Sequence, residues 1–290
     1  MHYEPASANS VRCLLCPHAC EIPKGQTGKC GSRKNNGGKL IAESFAVVNS
    51  IALDPIEKKP LHFFHPGSAI LSVGTYGCNL DCPFCQNHKS VRRFFEMNDA
   101  KQAEIRANNR IPPPELAAIA QKYAIQGNIG VAYTYNEPIV GYEYVYECAK
   151  LVYGAGLKNI LVTNGFINPK PLNELLRFVD AMNIDLKGFS QNFYDKLDGK
   201  LEAVMNNITI AAKSCHVEVT ILVIPGENDR DIDAAAKWLA SISPEIPLHL
   251  SRFFPLHKYA GRLPTPIDTL HEAAQTAKKY LKNVVIGNVR

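Results

Sequence analysis

Three cysteines stand within eight residues in Gly77-Cys78-Asn79-Leu80-Asp81-Cys82-Pro83-Phe84-Cys85, directly after the apolar run of residues 69–73. Three thiolates so close together are costly to keep unpaired, and a shared metal is the simplest relief. A structural zinc or a plain electron-transfer cluster takes four protein ligands. A site with three keeps one coordination position for a substrate or water. The spacing Cx3Cx2C is none of the common zinc patterns, so Cys78, Cys82 and Cys85 read as the ligands of an open [4Fe-4S] cluster that does chemistry.

A second group, Cys13, Cys16, Cys20 and Cys30, is spaced Cx2Cx3Cx9C, with a Gly-Gln-Thr-Gly turn that would bring Cys30 back to the others. Four sulfurs make a closed site. Some forty Gly- and Pro-rich residues cannot order themselves on buried apolar surface alone, so a structural or auxiliary metal is expected here. The spacing leaves zinc and a second iron–sulfur cluster both open. Cys148 and Cys215 are isolated and read as buried structural thiols. His62, His65 and His88 flank the cysteine loop and receive no role.

The elements that must position these groups follow from periodicity. Six short β-branched runs, at residues 69–74, 130–135, 159–164, 181–187, 217–225 and 248–254, alternate with amphipathic segments of helix length. That alternation predicts parallel strands with crossover helices. No GxGxxG follows the first strand, which disfavours a dinucleotide fold. In a parallel barrel the carboxyl ends of the strands build the site. Those ends carry Thr134, Asn136 and Glu137; Thr163 and Asn164; Asp185 and Lys187; Pro225, Asn228 and Asp229; and Arg252. Each group taken alone could be a turn or a helix cap. Together, beside an open cluster, they suit one ligand bearing an amine, a carboxylate and vicinal hydroxyls. The expected organisation is a Cys-rich metal-binding module at 1–40, a lead-in strand and loop at 41–68, and a barrel at 69–290. Residues 88–111 read as a polar, mobile loop.

The 290-residue chain can bury a full core without covalent staples, and its net charge of +5 carries no long basic run, so nucleic acid is an unlikely partner. Nine cysteines and a polar start without a signal-like segment point to a reducing cytoplasm, and no run is long enough for a membrane helix. The competing class is a non-catalytic zinc or iron–sulfur adaptor, which has no need for Glu137, Asn164 and Lys187 to meet.

The Cx3Cx2C stretch resembles the hallmark of the radical SAM enzymes. CPHACEIPKGQTGKC, DPIEKKPLHFFHPGS, CPFCQN, YTYNEP, TNGF, NIDLKGF and VIPGEND together resemble the radical SAM component of the AmmeMemoRadiSam system, which is related to pyruvate formate-lyase activating enzymes. The resemblance implies an α/β fold, a partial (β/α)6 TIM-like barrel. It implies S-adenosylmethionine (SAM) bound at the open iron and cleaved reductively to a 5′-deoxyadenosyl radical that abstracts hydrogen from an unknown substrate. It further implies that Glu137 holds the SAM amine, with Asn136 in place of a glycine. Thr163 and Asn164 fall in the ribose-binding motif, and Asp185 and Lys187 lie close to SAM. Val162 replaces the carboxylate that accompanies a cation in the activating enzymes, so no monovalent cation is expected. MEMO-type and AMMECR-type proteins are the implied partners, with flavodoxin or ferredoxin as electron donor. A glycyl-radical-enzyme activase is the alternative role.

Overall fold

The computed structural model describes residues 1–7 and 9–289. The amino-terminal segment forms two small antiparallel sheets. One contains β1 (Tyr3–Pro5), β2 (Val11–Cys13) and β3 (Glu21–Ile22), and the other is the hairpin β4 (Arg33–Asn36) and β5 (Lys39–Ala42). They bury Val11, Leu15, Ile22 and Leu40 against the main body. Arg33 fastens them there, its guanidinium bridging both carboxylate oxygens of Glu143 at 2.7 and 3.0 Å.

The main sheet has eight strands. β6 (Ser50–Pro55) runs antiparallel at one edge. Seven parallel strands follow: β7 (Ala69–Gly74), β8 (Asn128–Tyr133), β9 (Lys158–Thr163), β10 (Ala181–Asp185), β11 (His216–Val223), β12 (Leu248–Arg252) and β13 (Val284–Gly287). The order is sequential from β6 to β13, as in a partial TIM-like barrel. Six parallel strands are the ones expected from β-branched runs. β13 is a seventh, only four residues long and half-buried, too short to stand out as an apolar run.

Alternating side chains divide the strands into two faces. Val73, Val131, Leu161, Met182, Ile184 and Val219 pack beneath the helices, among them α3 (Pro113–Lys122) and α4 (Tyr142–Gly154), which bury Leu116, Val145, Cys148 and Val152. Each fully buried aliphatic side chain contributes about 1.5–3 kcal/mol before chain entropy is counted. On the other face Ile70, Ala132, Ile160 and Ala181 pack against Ile56 and Leu61.

The segment after β6 therefore enters the barrel instead of looping over the surface. Its backbone is fixed by polar groups near the amino ends of the strands. Asn183 donates to the Pro60 carbonyl at 2.9 Å, and Glu218 accepts from the His62 and Phe63 amides at 3.1 and 2.8 Å. His216 and His249 reach the same carboxylate at 2.9 and 2.6 Å. This floor closes the amino end of the barrel.

The expectation of a mobile loop at 88–111 is corrected. The segment holds two helices, α1 (His88–Glu96) and α2 (Asp99–Asn108). Val91 and Phe94, one turn apart, bury themselves on α1, and Phe94 stacks on Tyr76 with ring centroids 4.4 Å apart. Two apolar side chains suffice because Tyr76 and Val47 supply the rest of the pocket. Among the described residues no helix is long and apolar enough to cross a membrane.

Candidate active site

A cavity of about 360 Å³ opens at the carboxyl ends of the parallel strands, within the range of small-molecule sites. Cys78, Cys82 and Cys85 form one wall. The ends of β8, β9 and β10 bring Asn136, Glu137, Thr163, Asn164, Asp185 and Lys187 to it, so the nine residues matched to the cluster and SAM motifs line one cavity, together with Thr134.

The cysteine loop leaves β7 through Gly77, whose φ of +96° and close approach leave no room for a side chain: a Cβ there would lie 2.7 Å from the Cys30 carbonyl oxygen. Asn136 ties the loop down. Its side-chain Oδ1 accepts from Thr75 N at 2.9 Å, and its Nδ2 donates to the carbonyl oxygens of Gly77 and Glu137 at 3.1 and 3.0 Å. The Asn136 side chain is thus spent on positioning the loop, which also explains why this position is not glycine.

Burial pushes the Cys78 and Cys85 thiols up and takes Cys82 to about 12, so the sulfurs ionise only with a cation at hand. Donors to sulfur are already in place, with Leu80 N at 3.5 Å and Asn164 Nδ2 at 3.7 Å from Cys78 Sγ. Three half-buried sulfurs with polar donors, and no fourth cysteine among the described residues that line the cavity, fit a cluster with one open iron.

Glu137 is held by three protein donors. Thr163 Oγ1 and Ile139 N donate to Oε1 at 2.7 and 3.1 Å, and Asn164 N donates to Oε2 at 2.7 Å. Burial pushes its pKa up to about 7 against these donors. A carboxylate offers about four acceptor sites, so about one remains for a ligand. The cap on the turn at residues 138–141 and a ligand contact are therefore compatible uses of one side chain. Asn164 also donates to Asn79 Oδ1 at 2.9 Å, linking the end of β9 to the cysteine loop. Lys187 Nζ pairs with Asp185 at 2.6 Å. Burial disfavours the ammonium, but the charge and hydrogen bond of Asp185 oppose it and hold Lys187 protonated.

The fifth and sixth strands contribute differently from expectation. Asn228 donates to the carbonyl oxygens of Lys187 and Leu222 at 2.7 and 2.9 Å, Asp229 caps the Gly226 amide, and Arg252 Nε donates to the Thr265 carbonyl. From these strands it is Thr220, Leu222 and Ser251 that line the cavity. Lys58 and Pro60, from the segment inside the barrel, join them. The DPIEKKP stretch was the available signal, although as a sequence it reads only as a loop.

Cys13, Cys16, Cys20 and Cys30 line a second, smaller cavity together with Arg33 and Asn79. Cys148 is buried in α4 and Cys215 is half-buried in the turn directly before β11, both away from either cavity.

The model of the radical SAM superfamily matches residues 72–239. An uncharacterized protein of Methanocaldococcus jannaschii is 39% identical over 100% of this chain and 84% of its own length. A second protein of that organism, provisionally named a glycyl-radical enzyme activating enzyme, is 26% identical over 78% of this chain and 91% of its own. Among solved structures, Streptococcus suis SuiB bound to S-adenosylmethionine superposes with a TM-score of 0.53 at 12% identity, covering 73% of this chain and 48% of SuiB. The likeness to SuiB is one of fold.

Proposed function

The chain belongs to the radical SAM superfamily, and from that premise we propose that Cys78, Cys82 and Cys85 hold the cluster while Glu137, Thr163, Asn164, Asp185 and Lys187 hold SAM. It is a radical SAM enzyme whose cofactors are a [4Fe-4S] cluster and SAM. When bound and reduced by one electron, the pair supplies a 5′-deoxyadenosyl radical for hydrogen abstraction.

The chain's own residues do the rest. Lys187, fixed by Asp185, offers an ammonium to a carboxylate. Glu137 offers an acceptor to an amine. Thr163 spends its hydroxyl on Glu137 and so orients that acceptor. Asn164 braces Asn79 and a cluster sulfur. The packed floor of Ile56 and Leu61 keeps solvent from entering through the amino end, which suits a reactive radical. The observation that carries the reading is the meeting of three cysteines with both charge signs, Glu137 and Lys187, on one cavity.

The substrate in this reading is a protein. The motifs resembling the AmmeMemoRadiSam type favour MEMO-type or AMMECR-type partners, with flavodoxin or ferredoxin as donor. A backbone glycine of a partner enzyme is the second reading, favoured by the provisional name of the relative at 26% identity. The test is anaerobic. The reduced enzyme receives SAM and a uniformly deuterated candidate protein, and 5′-deoxyadenosine is examined by mass spectrometry. Deuterium in that product identifies the substrate. Transfer from a small-molecule fraction, with none from protein, overturns the protein reading.

A further inference from the structure

Four sulfurs face one small cavity in the amino-terminal segment, and the surrounding groups are arranged for anionic sulfur. The backbone N–H of Leu15 points at Cys13, that of His18 at Cys16, and those of Ser32 and Arg33 at Cys30. The Asn79 side chain reaches Cys16 as well. The pattern of an amide two residues on, aimed at sulfur, recurs at the barrel site, from Leu80 to Cys78 and from Asn87 to Cys85.

Arg33 supplies an independent pointer. It is 1% exposed, lines the cavity, and spends its two terminal nitrogens on Glu143 and the Met1 carbonyl. Its Nε is buried with no hydrogen-bond partner. A buried guanidinium donor without an acceptor is costly, and a sulfur-rich anion in the cavity would satisfy it.

The donor set selects among metals. His18 also lines the cavity, its Nε2 donating to the Asn79 carbonyl at 2.7 Å, and the four cysteines complete a set of four ligands without it. Among the described residues no three His, Cys, Asp or Glu side chains are gathered so as to hold a single metal ion. The same holds for Cys78, Cys82 and Cys85, the three sulfurs assigned above to a multinuclear cluster. We infer that Cys13, Cys16, Cys20 and Cys30 hold a second, fully cysteine-ligated [4Fe-4S] cluster, with Arg33 Nε donating to its sulfur. The two centres are neighbours, because Cys78 N donates to the Cys30 carbonyl at 3.2 Å and Asn79 lines the amino-terminal cavity.

The inference does not depend on how SAM is held, and its test separates the two sites. A Cys78/Cys82/Cys85→Ala variant, reconstituted with iron and sulfide under anaerobic conditions, is analysed for iron, sulfide and zinc. The expected result is a brown protein with roughly four iron and four sulfide per chain and little zinc. A colourless protein with about one zinc per chain overturns the inference in favour of a structural zinc site, and a folded protein without metal overturns it altogether. If that variant does not fold, wild-type protein serves. It should carry roughly eight iron, falling to roughly four in Cys16→Ser/Cys20→Ser, whereas roughly four in wild type contradicts a second cluster. In the fully reduced wild type, the electron paramagnetic resonance spectrum should show magnetic interaction between two clusters. A single unperturbed signal argues against the pair.

Discussion

The backbone N–H of Cys78 donates to the carbonyl oxygen of Cys30 at 3.2 Å. The first cysteine of the barrel loop and the last cysteine of the amino-terminal segment are thus joined directly, across Gly77. Gly77→Ala should break this junction, because the added Cβ would sit 2.7 Å from the Cys30 carbonyl on backbone with φ of +96°. A loss of about 1–3 kcal/mol in urea unfolding is expected, together with weaker SAM binding. Stability equal to wild type would show that the loop tolerates a side chain there.

Lys187→Ala should weaken SAM binding roughly tenfold to a hundredfold, the value of a charged hydrogen bond of about 1.5–3 kcal/mol, while iron content stays near wild type. Glu137 calls for a gentler change. Glu137→Ala would strand the Thr163, Asn164 and Ile139 donors in a buried site, so Glu137→Gln is the cleaner variant. It should also lower affinity with little loss of iron. Calorimetry giving wild-type SAM affinity in both variants would refute these two contacts.

The floor of the barrel should show a defined acid sensitivity. Burial alone would raise the Glu218 pKa, but hydrogen bonds from His216, His249 and the Phe63 amide outweigh it and lower the value to about 2. A depressed carboxyl stabilises the fold fully above its ordinary pKa of 4.5, and that stability is lost as pH falls toward 2. The shift corresponds to an upper bound of about 3 kcal/mol. Urea unfolding of the metal-free protein, wild type against Glu218→Gln, should show a gap that narrows as pH falls from 4.5 toward 2. A gap independent of pH would mean that the carboxylate charge contributes nothing.

Much of this architecture is visible in the sequence for physical reasons. β7 to β12 are short, largely apolar runs buried on both faces, and Cx3Cx2C follows the first of them. The nine residues matched to the cluster and SAM motifs follow or end strands, where parallel topology dictates convergence. What stays hidden depends on contacts distant in sequence. Glu218 meets His62, Phe63, His216 and His249 only once the barrel closes. Lys58 and Pro60 belong to the cavity only because the segment after β6 turns inward. The helices α1 and α2 look like a polar loop because, among the described residues, α1 buries just Val91 and Phe94 and α2 buries none.

The central claim is that the sulfurs of Cys78, Cys82 and Cys85 carry the SAM-cleaving centre. It is tested most directly by quantifying 5′-deoxyadenosine from anaerobically reconstituted Cys82→Ala protein under dithionite with SAM, alongside wild type. Removing one of three thiolates leaves two for a cluster that needs three, so the account predicts product from wild type and none above background from the variant. Formation of 5′-deoxyadenosine by Cys82→Ala at the wild-type rate would contradict it.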